Sequence, residues 1–424
     1  MLSSIFNAFK IPDLRRRLAF TAGILLLYRA GSWLPTPGVD TAQLREVFEG
    51  EAGGTILGYL NLFSGQALQN LSLFALGIMP YITASIIMQL MTVVVPSLGA
   101  MQKEGEAGQK KITQWTRYLT VALAAFQSAG YVFLFQNSSS LGGSDVLTDI
   151  NIQTFLLIVV TLTSGTTLLM WMGELVTRRG VGNGQSLLIL ASILISVPTA
   201  ISAWLQGSTL ERLSLPLILL LVILAVVFIN EGQRRIPIQY AKRQVGSRMT
   251  SGGATYMPLR VNMAGVIPVI FAVAVLFFPP TLGQLVPGLE FLSDFFAPTS
   301  WPSIILEFAL IVMFTFFYTA VQFNPTEQAD NLKKYGGFIP GVRPGRPTAQ
   351  YLDRVLTRLT LPGAIYLGLI ATLPTIAIRY FGFPTAVAQG LGGTSMLIIV
   401  GVALDTMRQI ESQVQMRHYE GFLK

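Results

Sequence analysis

The feature that most limits what this chain can become is a series of ten apolar runs, each close to the roughly 20 residues a helix needs to cross the core of a bilayer. They lie at about 18–35, 73–95, 113–135, 153–173, 186–205, 214–231, 261–280, 303–323, 359–378 and 394–411. A backbone in hydrocarbon must satisfy its own N–H and C=O groups, and runs of this length do so as helices. Composition agrees: 52% of the 424 residues are hydrophobic and 12% charged, about half the charged share of a soluble domain. The expected fold is an all-α membrane protein with ten transmembrane helices, folded as a single domain over residues 1–424.

Charge placement orients the bundle. With a cytoplasmic N-terminus, an even number of spans returns the C-terminus to the same side. Of the 29 Lys and Arg, only Arg29, Arg45, Arg212 and Arg379 then fall at or near the outer face, and the outer stretches 136–152 and 281–302 carry none. That is the positive-inside pattern. The first residues, MLSSIFNAFKIPDLRRRLAF, read as a retained amphipathic segment, not a cleaved signal peptide. Because five is odd, spans one to five and six to ten can form two halves of opposite orientation, about 1–210 and 211–424.

Two long loops stand out on the cytoplasmic side, 232–260 and 324–358. The first carries Lys242 and Arg243. The second carries Lys333, Lys334, Arg343 and Arg346 among glycines and prolines that forbid a long helix. Loops of this length are more often functional than connecting. A shaped, exposed, basic loop suits a large partner with acidic or phosphate groups; composition alone leaves both an acidic protein and an RNA open. A third exception is GGTILGYLNLFSGQALQNLS at 53–72, whose apolar part is too short to cross and whose Gly65, Gln66, Gln69 and Asn70 are costly in lipid. It reads as a half-helix, at about 55–72, that enters the bundle without crossing, beside a watery cavity.

Little points to chemistry. The chain has no cysteine, and His418 alone supports neither a triad nor a zinc site. Glu307 and Asp405 are isolated acids within spans, whereas an ion-coupled carrier usually shows paired intramembrane charges. RRGVGNGQSLLI (178–189) lacks a lysine at phosphate-loop spacing and reads as a tight turn opening a helix. No cofactor and no metal is expected, and no enzyme activity. Gly77 with Pro80, and Gly265 with a mid-helix Pro268, mark spans two and seven as breakable, which together with the half-helix suggests a gate.

Six stretches carry a resemblance: ALGIMPYITASIIMQLM (75–91), QKKITQWTRYLT (109–120), RRGVGNGQSLLI (178–189), VNMAGVIPVIFA (261–272), NPTEQADNLKKYGGFIPGVRPGRPTAQYL (324–352) and GLGGTSMLIIVGVALDT (390–406). In these, in order and nearly end to end, the chain resembles the SecY family, the channel-forming subunits of the bacterial Sec translocon. The resemblance implies a clamshell of two inverted, pseudo-symmetric five-helix halves around an hourglass pore that passes unfolded polypeptides and releases transmembrane segments sideways. A plug at about 55–72 would seal it outside, and a ring of Ile78, Ile82, Gln185, Ile189, Ile270 and Ile398 at its waist. Gln185 departs from the family's aliphatic residue, so either the ring is slightly polar or its position in span five is a turn away. The lateral gate would lie between spans two–three and seven–eight, at Thr83 and Gln127. The basic loops would dock the ribosome and the motor ATPase SecA, with Arg343 matching the arginine of the GVRPG turn; the accessory subunits would be SecE and SecG. The site would be the plasma (inner) membrane of a bacterium, with membrane lipid and signal-bearing client polypeptides as further partners.

Overall fold

A computed structural model describes residues 9, 11–49, 56–136, 151–240, 244–245, 248–249, 254–285, 288–296, 300–381, 387 and 390–422. Its elements run α1 (Pro12–Gly31), α2 (Thr41–Glu49), α3 (Ile56–Phe63), α4 (Met79–Val94), α5 (Pro96–Lys103), α6 (Glu106–Gln136), α7 (Ile152–Arg179), α8 (Gly184–Gln206) and α9 (Thr209–Glu231). Strands β1 (Gln233–Tyr240), β2 (Gln244–Val245), β3 (Arg248–Met249) and β4 (Ala254–Arg260) follow. Then come α10 (Ile267–Leu285), α11 (Glu290–Phe295), α12 (Trp301–Gln322), α13 (Pro325–Lys334), β5 (Gly337–Phe338), α14 (Arg346–Phe381) and α15 (Gly393–Phe422). A helix covers each of the ten apolar windows. Among the described residues six stretches are by themselves long and apolar enough to cross a membrane, and α4 with α5 makes a seventh, bent by 99° at Val95. The membrane part is all α.

Local chemistry explains the helix starts. Asn183 Oδ1 accepts the N–H of Gln185 at 3.1 Å, Ser300 Oγ that of Ser303 at 3.3 Å, and Asn324 Oδ1 that of Thr326 at 3.1 Å. Each is an N-cap using up a donor that the helix leaves free. Inside the spans, hydroxyls turn back on their own helix. Thr116 donates to Ile112 O, Thr120 to Thr116 O, Ser128 to Ala124 O and Thr315 to Ile311 O, so these buried hydroxyls are not left unpaired in hydrocarbon; the buried Tyr366 hydroxyl has no partner among the described residues.

Spans two and seven begin alike. Gly77 (φ 58°) and Gly265 (φ 63°) sit in the left-handed region, and each is followed three residues later by a proline, Pro80 or Pro268, in the first turn of α4 or α10. The sequence placed Pro268 mid-helix, where it would kink the span. It stands instead where a proline's missing N–H costs nothing, because the chain turns through 261–266 before the helix starts. The shared Gly-x-x-Pro start occupies equivalent places in the two halves.

Close backbone approaches lock the first half. A Cβ on Gly165 of α7 would lie 1.8 Å from Leu73 O, and one on Gly184 2.0 Å from Gly173 O. Gly165→Leu therefore forces two segments apart, and the expected cost is about 1–3 kcal/mol or more, the range for overpacking. Thermal denaturation of the purified chain in detergent measures it; an unchanged midpoint would mean that α7 and the 72–78 turns do not pack this closely.

The strands were not anticipated. β1 pairs antiparallel with β4, from Gln233↔Arg260 to Gln239↔Ala254, and β5 adds to the other edge of β1 through Gln239↔Phe338 and Tyr240↔Gly337. Loop 232–260 and loop 324–358 are thus one hydrogen-bonded unit. Beneath it Ile236, Leu259, Phe323, Ile339, Leu352, Val355 and Leu356 form a small core.

Candidate functional site

The centre of the bundle is apolar. Ile78 and Ile82 from span two, Ile189 from span five, Ile270 from span seven and Ile398 from span ten are all buried, and all belong to one cluster drawn from both halves. Gln185 stands one turn before Ile189 on α8. Its side chain lies against Gly173 of α7, in the space a Cβ there would fill, and its Oε1 is buried with no hydrogen-bond partner. The reason is local: Gly173 opens a groove between α7 and α8 that the long carboxamide enters. An orphaned buried carbonyl oxygen costs about 1–3 kcal/mol, so Gln185→Leu is expected to stabilise the chain without altering its resting ion leak. A changed leak would return residue 185 to the central constriction. Sequence reasoning missed Val266, which stands to Gly265 as Ile78 does to Gly77; it is buried in the same cluster, against Gly401 of span ten. The repeated GIMP and GVIP was the available signal.

The half-helix is real and short. α3 ends at Phe63, the chain reverses through Gly65 and Gln66, and a single 3-10 turn covers Leu68–Asn70. It packs against spans five and seven. Its polar residues, costly in lipid, are tied internally: Asn61 Nδ2 donates to Gln69 Oε1 (3.1 Å), Gln69 N–H to Asn61 Oδ1 (3.0 Å) and Leu68 N–H to Ser64 Oγ (3.2 Å). Span one and the segment after it clamp it. Tyr28 donates to Ser64 O (2.9 Å), Arg45 Nε to Asn70 Oδ1 (2.7 Å) and Thr36 Oγ1 to Leu71 O (2.6 Å).

Spans two and three both pack against span seven, and seven against eight. Thr83 and Gln127 are half-buried on spans two and three, with Thr83 Oγ1 donating to Met79 O at 3.0 Å. Where span ten leaves the bundle, Arg408 donates to Asn230 O and Glu231 Oε1, both at 2.8 Å, and approaches Asp405 at 3.5 Å. Asn230 in turn accepts from Asn262, whose amide also reaches Gly265 O. This network joins both feet of the β1–β4 hairpin to the start of span seven and the far end of span ten. Glu307 is buried on span eight.

On the sheet side Lys333, Lys334, Arg343 and Arg346 are all exposed. Lys333 and Lys334 close α13, where cations suit the helix C-terminus. The turn after it is rigid: Gly341 and Gly345 are left-handed, Val342 N–H donates to Ile339 O and Thr348 Oγ1 to Arg343 O at 2.8 Å. Lys242 and Arg243 lie outside the described residues.

Comparison with known proteins follows this geometry. The SecY family's sequence model matches residues 72–407. The protein translocase subunit SecY of Streptomyces coelicolor is 50% identical over the whole of both chains, and that of Mycobacterium tuberculosis 48%. Among solved structures, a protein-conducting channel superposes with a TM-score of 0.63 at 18% identity, covering 93% of this chain and 91% of that one. Sec61 from a canine ribosome–channel complex superposes at 0.57 and 16%, with the same coverage. With a sequence model spanning most of its length and relatives half identical from end to end, this multi-pass membrane chain belongs to the SecY family.

Proposed function

We propose that the chain is a gated, protein-conducting channel that lets unfolded polypeptides cross a bacterial plasma membrane, with both its termini in the cytoplasm. The halves are about 1–210 and 211–424. Ile78, Ile82, Ile189, Ile270 and Ile398 make the waist, and branched aliphatics at a constriction disfavour water and ions yet yield to a passing chain. The observation that carries the reading is this cluster, assembled from both halves beside a half-helix packed against spans five and seven. A similar solved channel, at a TM-score of 0.62, is a SecY protein whose plug domain stabilises the closed state and maintains a membrane seal; α3 and the turns to Leu71 fill that role here. An apolar client segment leaves between spans two–three and seven–eight, past Thr83 and Gln127, by the transfer energetics that favour any spanning helix.

The driving energy comes from a docked partner: the SecA motor, or a ribosome as in the canine complex. Lys242, Arg243, Lys333, Lys334, Arg343 and Arg346 form the docking face, and SecE and SecG complete the complex. The test is ATP-driven movement of a signal-bearing precursor into proteoliposomes holding this chain with SecE and SecG, with and without SecA. Motor-dependent protection of the precursor from added protease is expected; none, with an intact complex and an active motor, overturns the reading.

A further inference from the structure

We propose that a cavity between span one, α2 and the re-entrant segment is a binding site for one phosphate-type anion, which holds that segment closed. The cavity, about 360 Å³, is lined by Arg29, Trp33, Arg45, Gln66, Gln69 and Asn70. It lies at the end of the bundle opposite the basic loops. Leu14, at the start of α1, packs with Ile410 and Val414 at the loop end, and Arg29 lies about 22 Å further along the same helix at 1.5 Å per residue.

Two guanidinium groups face this one space and, among the described residues, no carboxylate lines it. Arg29 lies over the Trp33 ring at 4.9 Å and reaches Gly65 O at 3.5 Å. Arg45 spends only Nε, on Asn70 Oδ1. Among the described residues neither arginine forms an ion pair. Like charges sharing a cavity repel, and an oxyanion between them removes that repulsion while accepting the paired terminal N–H groups of Arg45, the geometry guanidinium offers phosphate. Gln69 adds a donor, because its Oε1 already accepts from Asn61 and its amide nitrogen is left over. The ligand therefore ties together three segments: span one through Arg29, α2 through Arg45, and the return of the half-helix through Gln69.

An anion that binds only this arrangement stabilises it in proportion to ln(1 + [L]/Kd). Phosphate chemistry has two sources here. Free phosphate can enter from the open side; alternatively a phospholipid headgroup can sit at Arg29 with its chains along the exposed Leu26 and Leu27 one turn away.

The experiment reads stability and needs no transport, so it stands or falls separately from the channel reading. The thermal midpoint of the full chain is measured in neutral phosphatidylcholine vesicles with inorganic phosphate or chloride at matched ionic strength, and again in chloride with phosphatidylglycerol added. The expected result is a midpoint several degrees higher with phosphate, with the anionic lipid, or with both, and loss of that rise in Arg45→Gln. A rise with phosphate identifies the free anion and a rise with lipid the headgroup. Equal midpoints under all three conditions, or a rise that Arg45→Gln retains, overturn the proposal. Arg45→Lys, which keeps the charge but not the paired donors, is expected to keep less than half of the rise; a full rise would also overturn it.

Discussion

Arg343→Glu is expected to cut motor-driven translocation by at least about tenfold while leaving the channel folded. Among the described residues nothing pairs with the guanidinium. The turn is held by its backbone, by Thr348 donating to Arg343 O, and by the left-handed Gly341 and Gly345, and it rests on the core under the sheet through Ile339 and Leu352. The substitution therefore changes the sign of charge on a rigid, exposed turn and little else. Charge reversal at a docking rim acts on encounter and register with the partner, and each tenfold loss corresponds to about 1.4 kcal/mol. Protease protection of a precursor, with motor and ATP present, reads the effect, and the thermal midpoint reads the fold. Wild-type protection would remove Arg343 from the docking face.

The second large effect is at the waist. Ile82→Asn is expected to raise the resting leak of small anions by about tenfold or more, because an amide at a dewetted constriction offers water the hydrogen bonds that the isoleucine denies it. Ile82 is buried among the central cluster with Ile78, Ile189, Ile270 and Ile398, so the variant also loses apolar packing, at about 2–5 kcal/mol for a large-to-small core change. Halide efflux from proteoliposomes measures the leak, and Leu90→Asn, on an exposed part of the same helix, controls for a polar residue in span two. No increase over that control would place the seal elsewhere.

The sequence made the spans legible because lipid demands length and apolarity, and both can be read residue by residue. It was less informative where a turn decides the outcome. The run at 73–95 reads as one helix, yet α4 starts only at Met79, since left-handed Gly77 and the packing of Leu73 O on Gly165 hold 72–78 as turns. Pro96 marked the 99° bend that follows. In QRRIPIQY the strand signal was present, with Ile236 and Ile238 buried on alternate residues, but arginines and a proline masked it. NPTEQADNLKK had the full signature of a short helix, with its Asn cap, first-turn proline and glutamate, and terminal lysines. Gln185 shows the limit: motif position put it in the ring with Ile189, and its contact with Gly173, on another helix, could not be read from the sequence.

The helix that begins three residues after Arg343 has a mechanical consequence. α14 runs unbroken from Arg346 to Phe381, 36 residues and so about 54 Å at 1.5 Å per residue, against a hydrocarbon core of about 30 Å. Part of it therefore stands outside the lipid as a rigid strut with the basic turn at its tip. If a partner docks there as proposed, its recoil would pass down the strut into the membrane, where α12 packs against it. Under the proposed docking, a load on the turn would thus enter the membrane through spans eight and nine and reach span seven, one side of the proposed gate, through its packing on span eight.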